Sequence, residues 1–82
     1  MITLSKKQYE SLLPYYDKLK SAKYSKTILI IQMHLIRILE TTYGNDWRSH
    51  VSNSVLSCGS CKIKELTKIC TLMENYEKGS KE

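Results

Sequence analysis

Apolar residues recur along most of this chain at the three-and-four spacing of an α-helix, and nowhere at the alternating spacing of a strand. The first such stripe is Tyr9, Leu12, Leu13, Tyr16 and Leu19. It opens with Ser5-Lys6-Lys7-Gln8, the order of a capping box, and Leu4 and Tyr9 take the two positions of a hydrophobic staple. Pro14 falls inside this stripe. It has no N–H to donate to Glu10 and disfavours helical geometry at Leu13, which predicts a kink or break there. Ser25 is placed to cap a second helix, roughly Lys26 to Tyr43, which stops at Gly44. On that helix Ile28, Ile31, Leu35, Ile38 and Leu39 form one core face. Ile30, Met33, His34 and Arg37 fall on the other side, so two sizeable apolar residues need covering there too, by the C-terminal helix or by another subunit. The last stripe, Ile63, Leu66, Ile69, Cys70, Met73 and Tyr76, predicts a helix beginning at Ser57 or Ser60, reaching Gly79 and packing on the second helix. Between them, Asn45 to Ser57 is rich in serine and asparagine and reads as a short helix or ordered loop. The expected architecture is all-α: a bundle of three main helices in one domain, residues 1–78, followed by a frayed tail, 79–82.

At 82 residues the chain makes one domain with a thin core. Its composition, 41% hydrophobic and 26% charged, is that of a globular protein and not of a disordered or fibrous one. The longest apolar stretch, Ile28 to Leu39, is interrupted by Gln32, His34 and Arg37 and falls short of the ~20 residues that span a bilayer. With no basic-then-apolar leader at the start, the expectation is a cytoplasmic protein without a membrane partner. A core of this size also makes self-association a natural supplement to stability.

Three features bear on chemistry. Cys58-Gly59-Ser60-Cys61 lies at the start of the last helix, where the helix dipole and free N–H groups favour a thiolate. Redox chemistry usually places this motif after a strand, and none precedes it here. Zinc is the second use, with Cys58 and Cys61 as half of a site completed by Cys70 and His50 or His34. The nine-residue step from Cys61 to Cys70 lacks the second close ligand pair of a structural site, and Cys70 aligns with Leu66 and Met73 as a core residue. Tight packing of a helix end is the third use and the preferred one, so no metal or other cofactor is expected.

The second feature is charge, a net +5. Residues 1–26 carry Lys6, Lys7, Lys18, Lys20, Lys23 and Lys26 against Glu10 and Asp17, which is four of the five net positive charges. Lys18, Lys20, Lys23 and Lys26 interleave with Tyr15, Tyr16 and Tyr24, a combination that suits phosphates and stacked bases and makes nucleic acid or a nucleotide a possible partner. A solvated lysine face is the plainer alternative. The third is the histidines and the tryptophan: His34 reads as a packed side chain, His50 as a surface one, and Trp47 as an anchor closing the core. No Ser/His/Asp set, carboxylate pair or glycine-rich phosphate loop is present, so no catalytic residue is assigned.

From Asn53-Ser54-Val55-Leu56-Ser57-Cys58-Gly59-Ser60-Cys61 through Leu66 to Tyr76, the chain resembles small uncharacterised proteins encoded by phages and prophages of Bacteroidetes, which carry a serine-cysteine-x-x-cysteine segment before a C-terminal amphipathic helix. The tyrosine-rich ending of that group is reduced here to Tyr76. The resemblance implies a mobile-element origin and brings no activity with it. It points to a virion component, a regulator or a host-defence inhibitor, in the host cytoplasm or on the virion. The reading is therefore of a non-enzymatic protein-interaction module, a homo-oligomer or the binder of another protein, using the Ile30, Met33 and Arg37 side or the kinked first helix. The alternatives are a nucleic-acid or nucleotide binder and a small zinc or redox protein.

Overall fold

The computed structural model describes residues 4–80 and contains helices and turns, with no strand among them. Helix α1 spans Lys6–Leu12 and starts in the predicted capping box: the Gln8 N–H donates to Ser5 Oγ at 3.2 Å, and the Ser5 N–H donates to Gln8 Oε1 at 2.8 Å. Pro14 breaks the element as expected. Leu13–Tyr15 tightens to a 3₁₀ turn, in which the Tyr16 N–H bonds to the Leu13 carbonyl, and α2 follows over Tyr16–Ser25. The apolar face continues across the break, because Leu12, Tyr16, Leu19 and Ala22 are all buried.

The second predicted helix starts later than its periodicity suggests. Ser25 is the last residue of α2 and not a cap, and Lys26 ends that helix in the left-handed region with φ 55° and ψ 33°. Residues 26–31 carry no helix, and α3 covers Gln32–Tyr43. Thr27, Ile28, Ile30 and Ile31 are β-branched and lose rotamer freedom in a helix. Extended backbone, seen at Ile31 with φ −73° and ψ 158°, also buries Ile30 while leaving its neighbours Leu29 and Ile31 outside. The predicted core face therefore holds for Leu35, Ile38 and Leu39, all buried, and fails for Ile31, which is 57% exposed.

After Gly44, two 3₁₀ turns, Trp47–Ser49 and Asn53–Leu56, bring Trp47, Val51 and Val55 into the core. Helix α4 runs Gly59–Ser80, past the predicted start of the tail at residue 79; residues 81 and 82 lie outside the described residues. Leu66, Ile69, Cys70 and Met73 form its buried stripe. Contrary to expectation, its chief helical partner is α2 and not the central helix, while α3 packs against α1. The gap left by the late start of α3 accounts for the change, since six non-helical residues, 26–31, separate α3 from α2. Among the described residues no helix is long and apolar enough to cross a membrane.

Two backbone positions give opposite expectations. Lys26 holds a left-handed conformation that glycine adopts freely, so Lys26→Gly should raise stability by about 0.5–1 kcal/mol. Gly44 has φ 91° and ψ −170°, a region close to glycine-only, and an added Cβ meets Asp46 Oδ1 at an unstrained 3.6 Å. Gly44→Ala should therefore cost about 1–3 kcal/mol through backbone strain alone. Urea unfolding of both variants checks the pair.

Candidate functional site

The lysine and tyrosine residues of the N-terminal region do not gather in one place. Tyr16, Lys20, Lys23 and Tyr24 line an open groove of about 470 Å³ between α2 and the last turns of α4. Tyr15, in the 3₁₀ turn before α2, is half-buried and does not line the groove; its ring centroid lies 5.3 Å from that of His34. Lys18 and Lys26 are not among the groove residues.

The groove has members that the basic pattern of the N-terminus does not reveal. Glu74, Glu77 and Lys78 come from α4, three and four positions apart and so on neighbouring positions of one helical face. Glu74 accepts from Lys23 Nζ and from the Tyr24 hydroxyl. Glu77 accepts from Tyr9 at 2.6 Å through Oε2 and from Tyr16 at 2.8 Å through Oε1. Tyr9 stacks on Tyr76 with centroids 4.5 Å apart, and Lys20 Nζ sits 4.4 Å from the Tyr16 ring centroid. An anion entering here meets two carboxylates already satisfied by a lysine and three phenols, which opposes the phosphate-binding electrostatics expected from Lys20 and Lys23 alone. The arrangement fastens α4 to α1 and α2.

The phenols register this environment. The hydrogen bond to Glu77, with burial second, raises the Tyr9 pKa to about 12, and burial with the same carboxylate raises Tyr16 further. Tyr43, half-buried and bonded to Glu65 of α4, moves the same way, first through its burial and then through that bond. Lys23 and Tyr24 are raised and Glu74 is lowered, each first through the hydrogen bonds they share.

The predicted interaction residues separate as well. Met33 is 59% exposed and Arg37 is exposed, whereas Ile30 is buried in the extended segment and contributes to the core instead. The exposed apolar partners of Met33 are Leu29 and Ile31, at 53% and 57%. Together the three occupy every second position from the extended segment into the first turn of α3. Alternation of buried and exposed residues over 28–31 was masked by helical spacing in the same run. His34 is half-buried with Nδ1 unpaired, His50 is exposed and stacks on Tyr43, and Trp47 is buried with Arg48 4.8 Å from its ring centroid.

Cys58 immediately precedes α4, and its carbonyl accepts the first helical bond, from Lys62 N–H at 3.0 Å. It is thus the N-cap, three residues before Cys61. Both thiols are part-exposed, whereas Cys70 is fully buried. The Cys61 backbone N–H and then the Cys61 side chain, with smaller contributions from the Ser60 N–H and Lys64, hold the Cys58 thiol below the usual range; burial raises Cys70. A Cβ on Gly59 would stand 4.0 Å from Ile28 Cδ1, an ordinary contact. Among the described residues no three His, Cys, Asp or Glu side chains gather as a metal site. No family model matches this chain, and no similar protein is found among curated sequences or solved structures.

Because the folded pKa of Tyr9 lies above the ordinary value of 10, its bond to Glu77 stabilises the fold fully below pH 10 and is lost as the pH rises through about 12. Glu77→Gln should bring the Tyr9 titration back toward 10, as followed by phenolate absorbance. The same change should lower stability at neutral pH by about 1–2 kcal/mol, since it weakens two part-exposed charge-assisted bonds.

Proposed function

We propose that this chain is a non-enzymatic protein-interaction module that pairs with a second copy of itself through the face built by Leu29, Ile31, Met33 and Arg37. The observation that carries this reading is the exposure of three large apolar side chains at alternate positions, 29, 31 and 33, each more than half accessible, on a molecule whose other large side chains mostly reach the core. Apolar residues scattered singly on a surface need no partner, but a contiguous group is the usual mark of an interface. The face is also its own electrostatic complement. Arg37 and Glu40 are exposed on the same side of α3 as Met33, and an antiparallel copy related by a two-fold axis passing between them sets each Arg opposite a Glu. Covering the strip adds apolar burial to a protein with a small core, at about 25 cal/mol per Å² removed from water. Such a module suits the mobile-element setting that the resemblance implies, whether as virion component, regulator or host-defence inhibitor.

Sedimentation equilibrium should give a mass above the monomer that rises with concentration. Met33→Glu combined with Ile31→Glu should return the protein to a monomer with unchanged helical circular dichroism. Arg37→Glu should weaken association, and adding Glu40→Arg should restore it. A wild-type protein that stays monomeric at high concentration sinks the reading.

A further inference from the structure

Two of the three thiols occupy a position that packing alone does not require. Cys70 is fully enclosed in the core, whereas Cys58 and Cys61 are part-exposed and flanked by exposed Ser57, Gly59 and Ser60. Cys58 stands at the N-cap of α4, where serine or aspartate ordinarily accepts the N–H of the third helical residue. Cys61, three residues on, lies in the first turn of that helix, so its N–H is the donor that an N-cap side chain ordinarily engages. Side chains three apart on a helix approach within about 5–6 Å at Cβ, and a modest rotation at an N-cap brings them into disulfide range. Lys62 and Lys64 add positive charge to this end of the helix, and the nearby Glu65 carboxylate is engaged by Tyr43.

We propose that Cys58 and Cys61 form a redox-active dithiol that closes to a disulfide by exchange with a low-molecular-weight disulfide of the glutathione class. The Cys58 thiolate attacks one sulfur of the disulfide RSSR, forming Cys58–S–S–R and releasing RS⁻. The Cys61 thiol then loses its proton and attacks the Cys58 sulfur, so the Cys58–Cys61 bond forms and a second RS⁻ departs. The two protons given up by the dithiol pass to the two leaving thiolates, and the two electrons lost by the protein reduce RSSR to two RSH. The lowered thiol range of Cys58 suits it to the attacking role, and its exposure gives the oxidant access. Cys70 takes no part. This inference is independent of self-association, since the thiols lie on α4 and the apolar strip leads into α3.

The test equilibrates the whole protein in graded mixtures of reduced and oxidised glutathione, quenches with a thiol-alkylating reagent and reads intact mass and peptide maps. Wild type should lose two thiols together, become lighter by one pair of hydrogens, and show a Cys58–Cys61 link with Cys70 alkylated only after unfolding. Cys61→Ser should accumulate the glutathione adduct on Cys58. Cys58→Ser, which keeps a good N-cap and so should stay folded, should take up glutathione on Cys61 roughly tenfold more slowly. The proposal is overturned by glutathione adducts that persist on wild type without closure, by equal rates in the two variants, by a link to Cys70, or by no oxidation in any mixture.

Discussion

The seam between α2 and α4 is the constraint on which the rest of this structure depends. At ten residues α2 is too short to be stable alone in water, and both helices draw most of their stability from covering each other's apolar stripe. Leu19 and Ala22 on one side and Ile69, Cys70 and Met73 on the other are completely excluded from solvent. The small side chains Ala22 and Cys70 allow close approach of the two backbones. Because α2 carries α1 through the 3₁₀ turn at Pro14, the seam also decides where α1 stands, and with it the surface on which α3 packs.

The polar fastening follows the same line. Glu74 and Glu77 extend the buried stripe of α4 by one further turn, and between them they accept from one lysine and three tyrosines. Bonds to an ionised acceptor are stronger than neutral ones, and these sit at the edge of the core, where water competes less than on an open surface. The tyrosines of the first 24 residues are thereby divided: Tyr9, Tyr16 and Tyr24 serve the join to α4, and Tyr15 serves the contact with His34.

Local signals in the sequence were reliable where a single element settles the matter. The Ser5 and Gln8 box, the break at Pro14, the stop at Gly44 and the stripe from Leu66 to Met73 all rest on residues within one or two turns of each other, and each appears as expected. The run from Thr27 to Ile31 departs from its helical expectation because continuous apolar residues satisfy helical and extended periodicity equally well. What decides between them is the tertiary need to bury Ile30 and bridge from α2 to α3. The partners of Lys23, Tyr24, Tyr9 and Tyr16 were not legible either, since they lie 50 or more positions away and nothing in the local pattern of α2 marks which carboxylate will face it. Of the candidate residues, the exposed Met33 and Arg37 and the thiols at the start of α4 were visible from spacing; Leu29 and Ile31 emerge only once the chain there is extended.

The pairing of helices in this fold is interlaced: α1 with α3, and α2 with α4. Any cut in the segment between α2 and α3 separates both pairs at once, so neither half of the chain contains a complete helix pair. The first half, emerging alone during synthesis, lacks both partners: α1 waits for α3, and α2 waits for α4. The molecule is consequently a single cooperative unit despite its small size, and its folding must close loops that span most of the chain, unlike a bundle whose neighbours in sequence are also neighbours in space.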